Sequence, residues 1–345
     1  MTYMEPNLAL DRGQKDGPTG CPIDPGTRLR PRSTFGRRFI VFVDTEEEFD
    51  WTAQFSRGAD RTSAISALPA ATRRFNSIGV HPVYLCDYPV VTRPESGAIL
   101  KELAASGACD IGAHLHPWVN PPHDEIVGHR NSFTGNLAPS LQRDKLRQLT
   151  DAITCLIGKR PTVFRAGRYG LGRQTMSHLA ELGYRMDVSV RSLFDYSPEY
   201  GPNYADCPLW PWQTPEGPVE LPLTCGWTGH LRKYPGLYRT TSLRGPLARA
   251  GMLTRVPLTP EGTPADQAVG AIEALLEDGL DIFSLSFHSP TLAKGHTPYV
   301  QTEEDLARFW AWWETIFEAF AKLGVTPIRY QDLVDELAPE QANAA

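Results

Sequence analysis

FIVFVDTEEEFDW, residues 39–51, runs from an apolar, β-rich segment straight into a block of carboxylates. The apolar part predicts a buried strand. Strand side chains alternate between faces, so Asp44 and Glu46 point the same way at the strand's C-terminal end. Barrel and open α/β enzymes place their active sites at that end. Taken alone, the acidic block reads as a solvated turn.

Four other segments repeat the pattern of a polar group at the end of a strand. In DIGAHLHPW, residues 110–118, His114 and His116 stand two apart. Both imidazoles then project to one side, where they are able to share a metal. FSLSFHS (283–289) ends an apolar run on His288, and TVF (162–164) leads into Arg165 of FRAGRYG. RMDVSV (185–190) carries Asp187, which needs a partner if buried, with Arg165 or His288 as candidates. Each residue has an ordinary structural explanation of its own. The convergence of several strand ends on one face is the functional signal.

The strands alternate with helices. Helical stretches are predicted at 62–79, with Pro69 as a kink, and at 96–106, 139–158, 173–183 and 302–324. The last begins with a capping box, Thr302 with Asp305. Repeated strand–helix units imply a parallel sheet with helices outside it. Residues 192–260, rich in Pro, Gly, Trp and Tyr, break the rhythm and are expected to form a long excursion over one barrel mouth. The expected organisation is a flexible arm over 1–35, one barrel domain over 36–336 with elaborated loops, and a tail over 337–345.

The 345-residue chain has a formal net charge of −6, which gives no overall case for binding nucleic acid or an anionic membrane surface. A local basic groove is compatible with that balance. No apolar run is long enough to span a bilayer, and no signal-peptide pattern opens the chain. Six scattered cysteines without a CxxC pair suggest reduced thiols and a cytoplasmic location.

The five segments VDTEEEFDW, DIGAHLHPW, FRAGRYG, MDVSV and LSFHS resemble, in order and approximate spacing, the five motifs of the polysaccharide deacetylases, the NodB-homology or carbohydrate esterase family 4 group. DYPVV (87–91), RNSFTGNLAPSL (130–141) and GHTPYV (295–300) look like its WalW-like branch. The resemblance covers about residues 39–335. It implies a distorted (β/α)7-type barrel and a divalent metal, with zinc first among several transition metals. It also implies a carbohydrate or small-amide substrate. Asp44 matches the family's base and Glu46 a metal carboxylate. His114 matches the first metal histidine, and Arg165 the arginine that orients the base. Tyr169 matches the tyrosine whose backbone N–H assists the oxyanion. Asp187 matches the aspartate of the fourth motif, and His288 the general acid.

One departure stands out. Where many members carry a second metal histidine, this chain has Trp118; His116 is the substitute ligand and His123 the next candidate. FRAGRYG also carries one residue more than the usual motif. Trp51, Asp87, Trp118, His296 and Tyr299 lie near motif loops and are candidates for lining a substrate cleft. The expected reaction is N-deacetylation of a sugar. The competing readings are hydrolysis of a small linear or cyclic amide, as in allantoinase-like relatives of the fold, and a non-catalytic carbohydrate-binding protein.

Overall fold

The computed structural model describes residues 21–50, 53–239 and 241–338. Most of the expected arm, all but the first two residues of the expected tail, and Trp51 lie outside the described residues. Seven parallel strands form the centre: β1 (Arg37–Thr45), β2 (Val83–Cys86), β3 (Asp110–Leu115), β4 (Val163–Ala166), β5 (Met186–Asp187), β6 (Val219–Glu220) and β7 (Ile282–His288). Their order is β6-β5-β4-β3-β2-β1-β7, each pair of neighbours parallel. Helices Leu68–Asn76, Pro94–Ala105, Pro139–Ile157, Thr175–Glu181, Ala265–Glu277 and Glu303–Lys322 follow the strands in turn, except that none lies between β5 and β6. The architecture is a single-domain, distorted (β/α)7-type barrel.

The distortion lies between β6 and β7. In place of a ladder, side chains complete the seam. Thr224 N–H donates to Ser284 O, Ser284 N–H donates to Thr224 Oγ1 at 2.9 Å, and the Ser284 hydroxyl donates to Pro222 O. A further strand, Val325–Pro327, pairs with the first residues of β1.

Side-chain alternation determines what fills the barrel. Ile40, Phe42, Val83, Leu85, Val163, Met186, Val219 and Ile282 form one apolar cluster, joined by Leu333, Val334 and Leu337 of the short helix Tyr330–Leu337. The opposite parity, including Phe39, Val41, Val43, Tyr84, Ala113, Phe164, Phe283 and Leu285, packs in a second cluster with the helices. Phe39 stacks on Phe317 and Phe320 of the helix Glu303–Lys322. That helix carries the predicted capping box at Thr302, a device generally worth about 1 kcal/mol. Trp312 and Trp313 of the WAWW run are buried core residues.

Three expectations change. Pro69 starts the helix Leu68–Asn76 instead of kinking one, because a proline at the first turn forfeits no helical hydrogen bond. The excursion supplies a barrel strand, β6, only two residues long between Pro218 and Pro222 and therefore without a visible apolar run. It also folds a two-stranded ribbon, Cys225–Thr228 with Thr254–Pro257. Cys21 and Cys207 form a disulfide across 186 residues of sequence, which no local spacing reveals. The other four cysteines are free thiols. The bridge removes the argument from cysteines for a reducing compartment. Among the described residues no helix is long and apolar enough to cross a membrane.

One buried cation organises the loop after β3. Lys145, on the helix Pro139–Ile157, is fully buried. Its ammonium donates to Pro117 O, Asn120 O and Pro122 O at 2.5–2.9 Å and pairs with Glu125 at 2.9 Å. Removing one partner of such a buried network leaves the other uncompensated. Lys145→Met is expected to lower unfolding stability by about 3–5 kcal/mol, measured by urea denaturation; a change below about 1 kcal/mol contradicts the clamp.

Candidate metal and catalytic site

The inward parity that is apolar low in the barrel becomes polar at the strands' C-terminal ends. On β1 the series is Ile40, Phe42, Asp44; on β3 it is Gly112, His114, then His116; on β4, Val163 then Arg165; on β7, Ile282, Ser284, Ser286, His288. Parallel register sets Asp44 beside His288 and His114 beside Arg165. A side chain at Gly112 would meet Leu85, Val163 and the Val163 carbonyl, so only glycine fits beneath His114.

His114 Nε2 and His116 Nε2 lie 3.0 Å apart, each 3.3–3.4 Å from Glu46 Oε2. Their other ring nitrogens are committed. His114 Nδ1 faces the Arg165 carbonyl at 3.2 Å, and His116 Nδ1 faces the Glu47 carboxylate at 2.8 Å. The Arg165 carbonyl only accepts, and so does Glu47 in its ionised form, so a neutral ring with these partners carries its proton on Nδ1. In that tautomer two Nε2 lone pairs and a carboxylate oxygen converge. Burial pulls the His116 pKa down, which keeps that ring neutral despite Glu46 nearby. Such a set is repulsive alone and matches a cation: Glu46, His114 and His116 each offer a donor within 4.8 Å of the others, all buried. The N/O donor set suits zinc and its neighbours. A carboxylate behind a ligand histidine is the usual support for such a ring.

His116 has a built seat. Trp118 stacks on it at 4.3 Å and 23° and donates its indole N–H to Glu47, the carboxylate that also holds His116. A Cβ at Gly167 would overlap the His116 ring, so the glycine of FRAGRYG makes room for it. Trp118 is buried and serves as support for this ring, not as an exposed sugar platform. His123 is exposed and outside the cluster. Asp87, also expected in the cleft, is fully buried. Its oxygens accept from Glu47 N and Val90 N, capping the helix Tyr88–Thr92 and steadying Glu47. Burial pushes Glu47 up to about 7, and burial with Glu47 alongside pushes Asp87 well above the carboxylate range.

Asp44 accepts from Arg165 Nη1 at 2.5 Å, and the Arg165 Nε–H donates to Val188 O. Burial alone would raise the Asp44 carboxyl, but Arg165, with His114 and His288, holds it below the usual range. His288 Nε2 lies 3.7 Å from Asp44 Oδ2. Its Nδ1 is 2.6 Å from Glu261, which also accepts from the His288 N–H and the Thr291 hydroxyl. Burial opposes the charged ring, yet Glu261, then Glu46, hold its pKa up at about 10.

Asp187 is not in this group. Met186 belongs to the barrel-filling cluster, so strand alternation turns Asp187 to the other face, in register with outward Phe164. There it accepts from the Ser189 hydroxyl and N–H beside Glu220, and burial raises both carboxyls. The carboxylate at His288 is instead Glu261, from the turn-like TPEGTP, whose composition gives no sign of a site. Tyr169 follows β4 with Arg168, both at positive φ (58° and 53°), a conformation that costs a non-glycine residue about 1 kcal/mol or more. Its carbonyl accepts from the Tyr204 hydroxyl. His296 Nδ1 lies 3.4 Å from Glu48, and both His296 and Tyr299 are partly exposed.

Neither a family model nor a curated protein sequence matches this chain. Solved structures do. A Mycobacterium smegmatis protein assigned to the polysaccharide deacetylases is similar at TM-score 0.52 and 14% identity, over 91% of this chain and 94% of that one. Puue allantoinase has TM-score 0.49 and 14% identity, over 93% and 97%. The Xyl-CE4 domain of a multidomain xylanase from the hindgut metagenome of Trinervitermes trinervoides has TM-score 0.42 and 12% identity, over 89% and 95%. The first of these likenesses shows a shared fold over most of both chains.

Proposed function

We propose that this chain is a metal-dependent hydrolase that removes an acyl group from an amide-linked amino sugar. One observation carries the reading: a buried, converging Glu46–His114–His116 triad stands beside a carboxylate held ionised by Arg165 and an imidazole held protonated by Glu261. The five-motif resemblance supports the same reading and supplies the substrate class. Glu46, His114 and His116 would hold the metal, with zinc the best match to the donors. When bound, that cation supplies a Lewis acid for the acyl carbonyl and for water.

The residues of the chain supply the proton transfers. Asp44, ionised because Arg165 faces it, accepts the proton of the attacking water. His288 carries a proton at neutral pH and delivers it from Nε2 to the departing nitrogen. The 3.7 Å between Asp44 and His288 is too long for a hydrogen bond and lets both reach one tetrahedral centre. Glu261 fixes the His288 ring and leaves Nε2 as the atom facing the reaction. The Tyr169 backbone N–H is assigned to the oxyanion by the motif match. Glu47 and Gly167 act through His116 by orienting it and leaving it space.

Purified, zinc-supplemented protein is expected to release acetate from N-acetylglucosamine oligomers and not to open small cyclic amides; the reverse preference removes the sugar reading. Asp44→Asn is expected to cut kcat by at least about 100-fold, within the range for general-base catalysis, while metal content by mass spectrometry stays at the wild-type level. Gly167→Ala, which pushes the His116 ring aside, is expected to weaken metal affinity by about 10–100-fold, as loss of a supporting group does; chelator competition measures it, and wild-type affinity would contradict His116 as a ligand.

Glu261→Gln tests the proton donor. His288 has a raised folded pKa, so its ion pair stabilises the fold fully below about pH 6.5, and that contribution is lost as pH rises through about 10. Activity that needs the imidazolium falls on the same alkaline side. The variant is expected to move the alkaline limb of kcat/KM down by at least about one pH unit. An unmoved limb excludes His288 as the titrating acid.

A further inference from the structure

Between its two ribbon strands the chain inserts residues 229–253, and this insert differs from the rest of the surface in both charge and polarity. Residues 221–260 contain Arg232, Lys233, Arg239, Arg244, Arg249 and Arg255 and no Asp or Glu, in a chain of 34 basic and 40 acidic residues. Six large apolar side chains stand exposed among the described residues: Ile78, Ile126, Tyr200, Tyr234, Leu237 and Leu243. Three of these six fall within the ten residues 234–243. A single exposed leucine is ordinary on a protein surface. Their concentration inside the longest acid-free stretch of the chain is not.

The insert is fastened at its base and open beyond it. Gly226 of the ribbon seats on the helix Ala265–Glu277, so closely that a Cβ there would come within 3.1 Å of Leu275. Arg232 pairs with Glu277 and Asp278 at the end of that helix, and Leu231 N–H donates to Met252 O. Leu253 and Val256 are buried, and Arg255 lies half-buried against the Phe194 and Tyr238 rings. None of these contacts covers Lys233, Tyr234, Leu237, Leu243 or Arg249, which all stand exposed. Lys233, Arg244 and Arg249 have no carboxylate partner among the described residues; Arg244 donates to the Tyr238 carbonyl. The helix Thr241–Arg249 is nine residues long and contains Gly245 and Pro246. A helix so short is marginal in water and gains from a surface to lie on.

We propose that the insert 229–253 docks this protein on an anionic lipid membrane. Lys233, Arg244 and Arg249 face the charged headgroups, Leu237 and Leu243 enter the boundary with the acyl chains, and Tyr234 sits at headgroup level, as amphipathic aromatics do. Other occupants satisfy only half of the surface. A second copy of this chain would bring the same cations face to face. A nucleic acid would pair with the cations and leave the leucines in water. A bilayer of anionic lipid takes both. Each basic residue close to such a surface adds about fivefold to binding, so three add on the order of 100-fold. The docking is peripheral, since among the described residues no helix is long and apolar enough to cross a membrane. It goes beyond the hydrolase reading and stands without it.

The test floats the full-length protein with vesicles of pure phosphatidylcholine and with vesicles of phosphatidylcholine and phosphatidylglycerol in equal parts. Binding to the anionic vesicles is expected to be at least about tenfold stronger at low salt and to weaken as salt screens the charges. Lys233→Glu with Arg249→Glu is expected to lower it at least about tenfold. The same reversal at Lys101 and Lys159, exposed lysines on other helices and loops, is expected to leave it within about twofold. Leu237→Ser with Leu243→Ser is expected to lower it at least about threefold with every charge intact. Equal binding to both kinds of vesicle, or to neither, overturns the docking surface. So does a preference that survives reversal at Lys233 and Arg249, or that falls equally on reversal at Lys101 and Lys159, since net charge would then govern it. Binding indifferent to the leucine pair overturns the membrane assignment, because the insert would then be a polyanion site open to nucleic acid. Circular dichroism checks each fold, and where the leucine pair fails to fold, Leu243→Ser alone is read in its place. Acetate release in vesicle-free solution is read separately; its absence removes the hydrolase reading and leaves the docking result standing.

Discussion

Two imidazole nitrogens held 3.0 Å apart with a carboxylate beside them are the constraint that organises this molecule. Left to themselves the rings would turn away. They are kept in place by acceptors at their far sides, the Arg165 carbonyl and Glu47, and by a stack of Trp118 on His116. Each holder has its own support. Asp87 caps a helix and accepts from Glu47 N–H, and Lys145 draws the carbonyls of the 117–122 loop onto a helix. The result is a graded shell in which each layer removes the freedom of the next one inward.

The three consecutive glutamates of VDTEEEFDW illustrate how the chain divides labour. Glu46 faces the histidines, Glu47 turns to His116 and Trp118, and Glu48 accepts from Ser63 and Ala64 while facing His296. Their environments differ accordingly. Burial opposes ionisation of all three, but imidazoles restore Glu46 and hydrogen bonds restore Glu48, whereas Glu47 stays raised near 7. Identical side chains in adjacent positions thus acquire different protonation behaviour from their neighbours alone.

The strand ends were legible in the sequence because two local rules coincide there: an apolar run marks a buried strand, and a spacing of two marks one face. Asp44 with Glu46 and His114 with His116 satisfy both, while Arg165 and His288 follow from the first alone. Asp187 satisfied the first only, and parity put it on the outer face. Glu261 satisfied neither, since it sits in a loop of Pro, Gly and Thr and reaches His288 through tertiary contact. The same holds for Cys21 with Cys207 and for β6, where two residues between prolines complete a barrel. Trp118 was visible as a departure from a motif, but its function as a prop required the position of Glu47. Motif glycines carried information that only close approach reveals: Gly167 marks the volume of a ring 51 residues earlier in the chain.

The bridge from Cys21 to Cys207 closes a covalent ring around the first five barrel strands. A closure of that length removes on the order of 5 kcal/mol of disorder from the unfolded chain in the chain-entropy description. Every donor of the cation triad, together with Asp44 and Arg165, lies inside the ring. His288, Glu261 and Arg255 lie outside it, attached by ladders, packing and the side-chain seam at Thr224 and Ser284. Loosening by heat or denaturant is therefore expected to reach His288 and the ribbon before the triad. Under the proposed function, cation retention would outlast turnover as the fold loosens.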